Sequence, residues 1–229
     1  MTLKRGETLL LTLGIPVLLL VFFSTIKIIS LPGKPIAFIA PGIIALCVMS
    51  TSMVSLSIAT GFERSYGVLR RLHVTPLSRR EFIGAKIAAV FLVEILQVVV
   101  VSAVAVALGW RPQLTAVLTA EALAAAALGS MGFAGIGLLL AGRLRAEMNL
   151  AATNGLYLLL LLVSGFVVPA GSLPSFWRHV MVVLPSGALT DGLHRCLGHG
   201  TALGVANFVS LAAWAISSPL LAARSFRLD

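Results

Sequence analysis

The feature that most restricts this chain is a succession of apolar runs, each about 20 residues long, parted by short polar breaks. In lipid, backbone N–H and C=O groups must find partners inside their own segment, so a run of that kind spans as a helix. Six such runs are expected, near Thr8–Ser30, Ile36–Gly61, Ser78–Leu108, Thr115–Ala141, Met148–Val168 and Thr201–Leu221. Pro16 is expected to kink the first, and Lys27 to reach outward from it. The fold class is an all-α polytopic membrane protein with six transmembrane helices, one domain over residues 1–229. Of the 229 residues, 59% are hydrophobic and 11% charged, which excludes an ordinary soluble domain.

Charge then sets orientation. The net charge of +9 could suggest a nucleic-acid partner, but the cations sit at the ends of apolar runs. They are better read as topology signals and headgroup contacts. Twelve of the 17 Lys and Arg residues fall on the side holding both termini and the polar stretch after the second run, and five on the other. The positive-inside rule therefore places both termini in the cytosol. Lys4 and Arg5 before the first run look like a secretion signal. That run is too long for such a core and lacks a small-x-small cleavage site, so it is expected to be retained. Cys47 and Cys196 lie far apart in the pattern, and no disulfide is expected.

Residues 62–86 form the one long polar stretch, FERSYGVLRRLHVTPLSRREFIGAK. Phe62, Tyr66, Leu69 and Leu72 fall at helical spacing and predict a short helix with one apolar stripe. Arg64, Arg70 and Arg71 lie off that stripe. Pro76 pushes Thr75 out of helical geometry and ends it. Ser78 and Glu81 then make a capping box that starts the third span.

Glu63-Arg64 through Leu69-Arg70-Arg71-Leu72, then Val74-Thr75-Pro76-Leu77-Ser78-Arg79-Arg80-Glu81-Phe82 and Lys86, resemble the cytosolic loop of bacterial ABC-type export permeases. This type-2 exporter family includes daunorubicin and nodulation-factor exporters. The family's Gly before the Lys is Ala85 here, with Gly84 one place earlier. Its longer N-terminal amphipathic helix is expected to be shortened or absent, since only Met1–Glu7 precede the first run. The resemblance implies that the loop is a coupling helix docked on an ABC ATPase. Glu63, Arg64, Tyr66, Leu69, Arg70, Arg71, His73, Thr75 and Pro76 would be its contact residues. It also implies a second permease copy, as a homodimer or as a heterodimer with a sister permease, in the bacterial cytoplasmic (inner) membrane.

No phosphate-binding loop exists in this sequence. The lone Gly33-Lys34 pair lacks the upstream Gly and the following Ser or Thr. No cofactor is therefore expected on this chain; ATP and magnesium belong to the partner ATPase. The expected role is a transporter subunit, not an enzyme, exporting a drug, lipid or other amphiphile. Drug efflux with antibiotic resistance is one expression of that role, and polysaccharide or glycolipid export by the same mechanism is a variant of it.

Between the fifth and sixth runs the pattern breaks. Pro169 ends a helix, Leu173-Pro174 starts a short one, and Leu184-Pro185-Ser186-Gly187 ends that. The short apolar piece fits a re-entrant segment packed on protein, and a re-entrant hairpin at Pro169, Pro174 and Pro185, within residues 169–200, is similar to one in the exporter family.

Glu94 and Glu121 are intramembrane carboxylates, and Gln97 shares a helix face with Glu94. Glu94, Gln97 and, more weakly, Asn154 are expected along a substrate path, with Asn149 sharing the weaker ambiguity; hydrogen bonding to neighbouring helices is the competing structural reading. Glu94 or Glu121 carrying protons in an ion-driven transporter is the alternative mechanism. A lipid enzyme ranks below both, for want of an acid, base or metal cluster. Gly129, Gly132 and Gly135 are expected to serve close helix packing. His194, Cys196 and His199 cluster in sequence, but a metal site needs more ligands, and none is expected. Trp110, Trp177 and Trp214 are expected as interfacial anchors, with a deeper position open to Trp214.

Overall fold

The computed structural model describes residues 3–25, 35–67, 79–112, 114–166 and 175–225. Among them the chain is helical throughout, with no strand. We number the helices α1 (Leu3–Thr25), α2 (Pro35–Ser65), α3 (Arg79–Ala107), α4 (Ala116–Arg143), α5 (Ala146–Val163), α6 (Ser175–Val183), α7 (Pro185–Leu193) and α8 (Val205–Ser225). Helices α2, α3, α4, α5 and α8 are long and apolar enough to cross a membrane, and Leu13–Thr25 of α1 is a shorter apolar helix.

The packing has a clear centre. In α2, 83% of the most apolar stretch is buried, against 22% in α3. Ile43, Cys47, Val48 and Met53 of α2 lie in the main core with Phe133, Leu189, Leu193 and Leu211 from the surrounding helices. Helix α3 instead turns Leu92, Ile95 and Val99 outward. An apolar face of that width is what a helix shows to lipid.

The small residues of α4 do what their spacing suggests. A Cβ at Gly132 would lie 3.2 Å from that of Trp214, and one at Gly135 would overlap Ser218 and the Pro219 backbone. The α4–α8 seam is therefore in backbone contact, and Ser218 Oγ closes it by donating to the Gly132 carbonyl at 2.7 Å. Gly129 faces Leu189 of α7.

Several boundaries differ from expectation. Helix α2 runs past Gly61 and takes Phe62, Glu63 and Arg64 with it. A turn follows, in which the Tyr66 and Gly67 amides donate to the carbonyls of Phe62 and Arg64. Gly67 has φ +70°, which L side chains rarely adopt. The stripe Phe62–Tyr66–Leu69–Leu72 is thus not one continuous helix: Glu63 and Arg64 end a spanning helix instead of beginning a separate one. Residues Leu69, Arg70, Arg71, His73, Thr75 and Pro76, and the Ser78 cap, lie outside the described residues. Helix α3 is described from Arg79 onward.

The segment after α5 holds a second short helix. Pro185 is not only the end of α6; it is the first residue of α7, where its missing N–H costs nothing. Helix α7 is almost wholly buried, so this piece packs inside the bundle. It passes into a π-helical stretch, His194–His199, ended by Gly200 at φ +66°. Pro169 and Pro174 lie outside the described residues. The last long helix begins at Val205 and not near Thr201. Trp110 is buried, at 4% exposure, unlike a residue of an aromatic belt, whereas Trp177 is exposed.

Candidate functional site

Three features carry the chemistry. The first is the base of the polar hairpin, where α2 ends and α3 begins. Glu63 of α2 pairs with Lys86 of α3 at 2.5 Å. Lys86 also lies 5.6 Å from the centre of the Phe82 ring. Arg64 donates to the Ala141 carbonyl of α4 at 3.3 Å. Two adjacent residues at the tip of the central helix thus tie it to two neighbours. Glu63 and Arg64, expected as partner contacts, make bonds within the chain. Tyr66 stacks on Phe62 and is 75% exposed.

The second feature is polar and neutral, inside the bundle. Asn149 Nδ2 donates to the Ser57 carbonyl at 2.9 Å, and Ser57 Oγ donates to Asn149 Oδ1 at 2.9 Å. Thr153 Oγ1 lies 3.0 Å from Ser57 Oγ. Gly61 makes room, since a Cβ there would sit 2.7 Å from Asn149 Nδ2. Just before Ser57 along α2, Ser50–Ser55 is π-helical. Ser50 and Ser52 donate to the carbonyls of Cys47 and Val48. Such back-bonding competes with the helical ladder. Thr51 from this stretch donates to Gln97 Oε1 of α3 at 2.8 Å. The run of Ser and Thr in α2 is the sequence signal for this distortion, although periodicity alone reads it as ordinary helix.

The third feature is a cavity of about 520 Å³ between α2, α3, α4 and the π-helical stretch after α7. Ile44, Val48, Val98, Trp110, Ala122 and Leu193 are among its apolar lining. Glu94 lines it too, 4% exposed, and its Oε1 makes no hydrogen bond. The Ser130 hydroxyl is near enough to influence this carboxyl, yet Ser130 Oγ closes no hydrogen bond either.

The structure separates the other polar residues from this cavity. Gln97 is committed to Thr51. Asn154 is exposed and donates to the Leu150 carbonyl of its own helix at 2.9 Å. Five residues on from Asn149, it has rotated off the buried face. Glu121 accepts from the Leu203 amide at 2.7 Å and from the Cys196 thiol at 3.9 Å, holding the approach to α8. The ring nitrogens of His194 lie 2.8 and 2.9 Å from the Thr190 and Phe38 carbonyls. His199 is exposed, so His194, Cys196 and His199 point to three different places. Among the described residues no three His, Cys, Asp or Glu side chains form a group suited to a metal.

A family model for the ABC-2 type transporter matches residues 2–195, from the first helix through the buried α7. The chain belongs to the ABC-2 type transporter family. It is a multi-pass transmembrane subunit of an ABC transporter, a permease domain, and ABC-2 permeases generally partner with an ABC ATPase. No curated protein matches the chain.

Proposed function

We propose that this ABC-2 permease is the membrane subunit of an ATP-driven exporter. It takes force from a separate ATPase at the polar hairpin and moves a drug, lipid or other amphiphile outward across a bacterial cytoplasmic membrane. Both termini and the hairpin face the cytosol, and the working unit holds two permeases, alike or sister chains, with ATP and magnesium on the ATPase. Residues 62–86 serve as the coupling region within one permease domain.

The observation that carries this reading is the double tie at the tip of α2. An ATPase bound at the hairpin pushes or pulls through Glu63–Lys86 and Arg64–Ala141. Displacement there enters the most buried helix of the bundle and reaches α3 and α4 together. Arg70, Arg71 and His73 are assigned to the ATPase contact, with Tyr66 beside them; Glu63 and Arg64 are assigned to transmission. Family membership weighs against proton carriage by Glu94 or Glu121, and Glu121 is already held by the Leu203 amide.

The test separates contact from transmission. Arg71→Ala is expected to reduce co-purification of the ATPase. Glu63→Gln is expected to preserve co-purification and lower substrate-stimulated ATP hydrolysis. Unchanged co-purification and unchanged hydrolysis in both variants would remove the proposal. Orientation has its own check. Cys47 and Cys196 are both buried, so thiol background is low. A membrane-impermeant maleimide added to intact cells is expected to label Thr201→Cys and spare Tyr66→Cys.

A further inference from the structure

We propose that the cavity beside Glu94 is a lateral binding site, open toward lipid between α3 and α4, for a lipophilic amine in its cationic form. Its floor is deeply buried: Ile44, Val48, Glu94 and Leu193 are each under 5% exposed. Its rim is not: Ile95, Val99, Leu114 and Leu123 are each about 60% exposed. A pocket with such a rim on lipid-facing helices takes its occupant from the bilayer and not from water. The volume of about 520 Å³ falls within the roughly 300–1,000 Å³ of small-molecule sites.

Glu94 selects the chemistry. It stands in the middle of α3, half a membrane away from either end of the helix. It takes part in neither the Glu63–Lys86 nor the Asp191–Arg195 ion pair. A carboxylate at that depth needs a partner, and intramembrane carboxylates that lack one in the protein mark ligand or ion sites. The rest of the lining is apolar apart from the hydroxyls of Ser102 and Thr119 and the indole N–H of Trp110. A bare hydrocarbon tail fills the cavity but leaves Glu94 Oε1 unbonded. A phospholipid brings a phosphate, and no cation lines the cavity to receive it. An alkylammonium satisfies both demands: the ammonium pairs with Glu94, and the chain lies along Val98, Val99 and Val106 toward Trp110.

The site deepens the exporter reading by naming a substrate class, and its role in transport rests on that reading. Binding itself does not. The experiment therefore uses the full-length permease alone in lipid nanodiscs, with no ATPase. In a W177F/W214F background Trp110 is the one tryptophan left and reports on the cavity it lines. A bromododecylamine and the matching bromododecanol partition into the same bilayer and quench tryptophan on contact.

The amine is expected to quench saturably, at a half-saturating level about tenfold or more below that of the alcohol. Glu94→Gln is expected to remove the advantage of the amine and leave the alcohol unchanged. Ala126→Phe, which fills the cavity, is expected to abolish saturable quenching by both. Equal quenching by amine and alcohol in the unsubstituted site overturns charge selection without recourse to any variant. Absence of saturable quenching, as when a second permease copy covers the cavity, overturns the site. Either failure leaves the coupling test by co-purification untouched.

Discussion

Glu63 and Glu94 are the same residue type at two levels of one bundle, and they are treated in opposite ways. Glu63 sits at the polar end, partly exposed, and is met by Lys86 at 2.5 Å from the next helix. Glu94 sits mid-helix, buried, and its Oε1 makes no hydrogen bond. A carboxylate near water can serve as a tie at little cost, since both ions keep part of their hydration. A carboxylate in the interior is expensive to leave alone. The first therefore belongs to the transmission of force and the second to recognition. Between them the bundle is held by neutral groups: backbone contact at α4–α8 and the Asn149–Ser57–Thr153 cluster.

That division orders the expected effects of substitution. The largest loss of stability should follow Gly135→Leu, which drives a side chain into the Ser218–Pro219 backbone. Overpacking of this kind costs about 3 kcal/mol. Thermal unfolding in detergent should show a large drop, and a drop smaller than that of any hairpin variant would break the comparison. Asn149→Leu should cost about 1 kcal/mol, the scale of an interhelical hydrogen bond in a membrane, again read by thermal unfolding. Glu94→Gln should change stability least among the interior variants, or raise it, because no ion pair is lost and Oε1 makes no hydrogen bond; a loss as large as that of Asn149→Leu would assign Glu94 to the scaffold. Glu63→Gln should cost only about 0.5 kcal/mol, with its effect appearing in coupling. The charge swap E63K/K86E should restore hydrolysis lost in either single variant, and failure of the swap would show that the pairing itself is not what transmits.

Much of this architecture is legible in the residues. Thr115 caps α4 by accepting from the Leu118 amide, and a Thr before an apolar run signals that start. The start of α4 was readable because it follows a local rule of side-chain chemistry. The glycines of α4 were readable because small residues at three-residue steps have one plain use in lipid. Elsewhere the local rules point two ways. Pro185 satisfies both the rule for ending a helix and the rule for beginning one, and only burial against α2, α4 and α8 decides for α7. Phe62, Tyr66, Leu69 and Leu72 keep helical spacing, yet Gly67 among them takes a positive φ and breaks the run. The cavity was invisible because its lining comes from four helices, α2, α3, α4 and α7, and a π-helical stretch, distant in sequence. Glu94 announced it, as a polar group in an apolar run, whereas Gln97 and Asn154, also polar groups in apolar runs, serve hydrogen bonds.

Site-directed cross-linking in native membranes tests the central claim, force received at the hairpin end, most directly. With Tyr66→Cys carrying a short thiol-reactive cross-linker, the account predicts covalent capture of a nucleotide-hydrolysing protein, and no such capture from Thr201→Cys at the opposite end. Capture at Thr201, or at neither position in a complex that still transports, would contradict it.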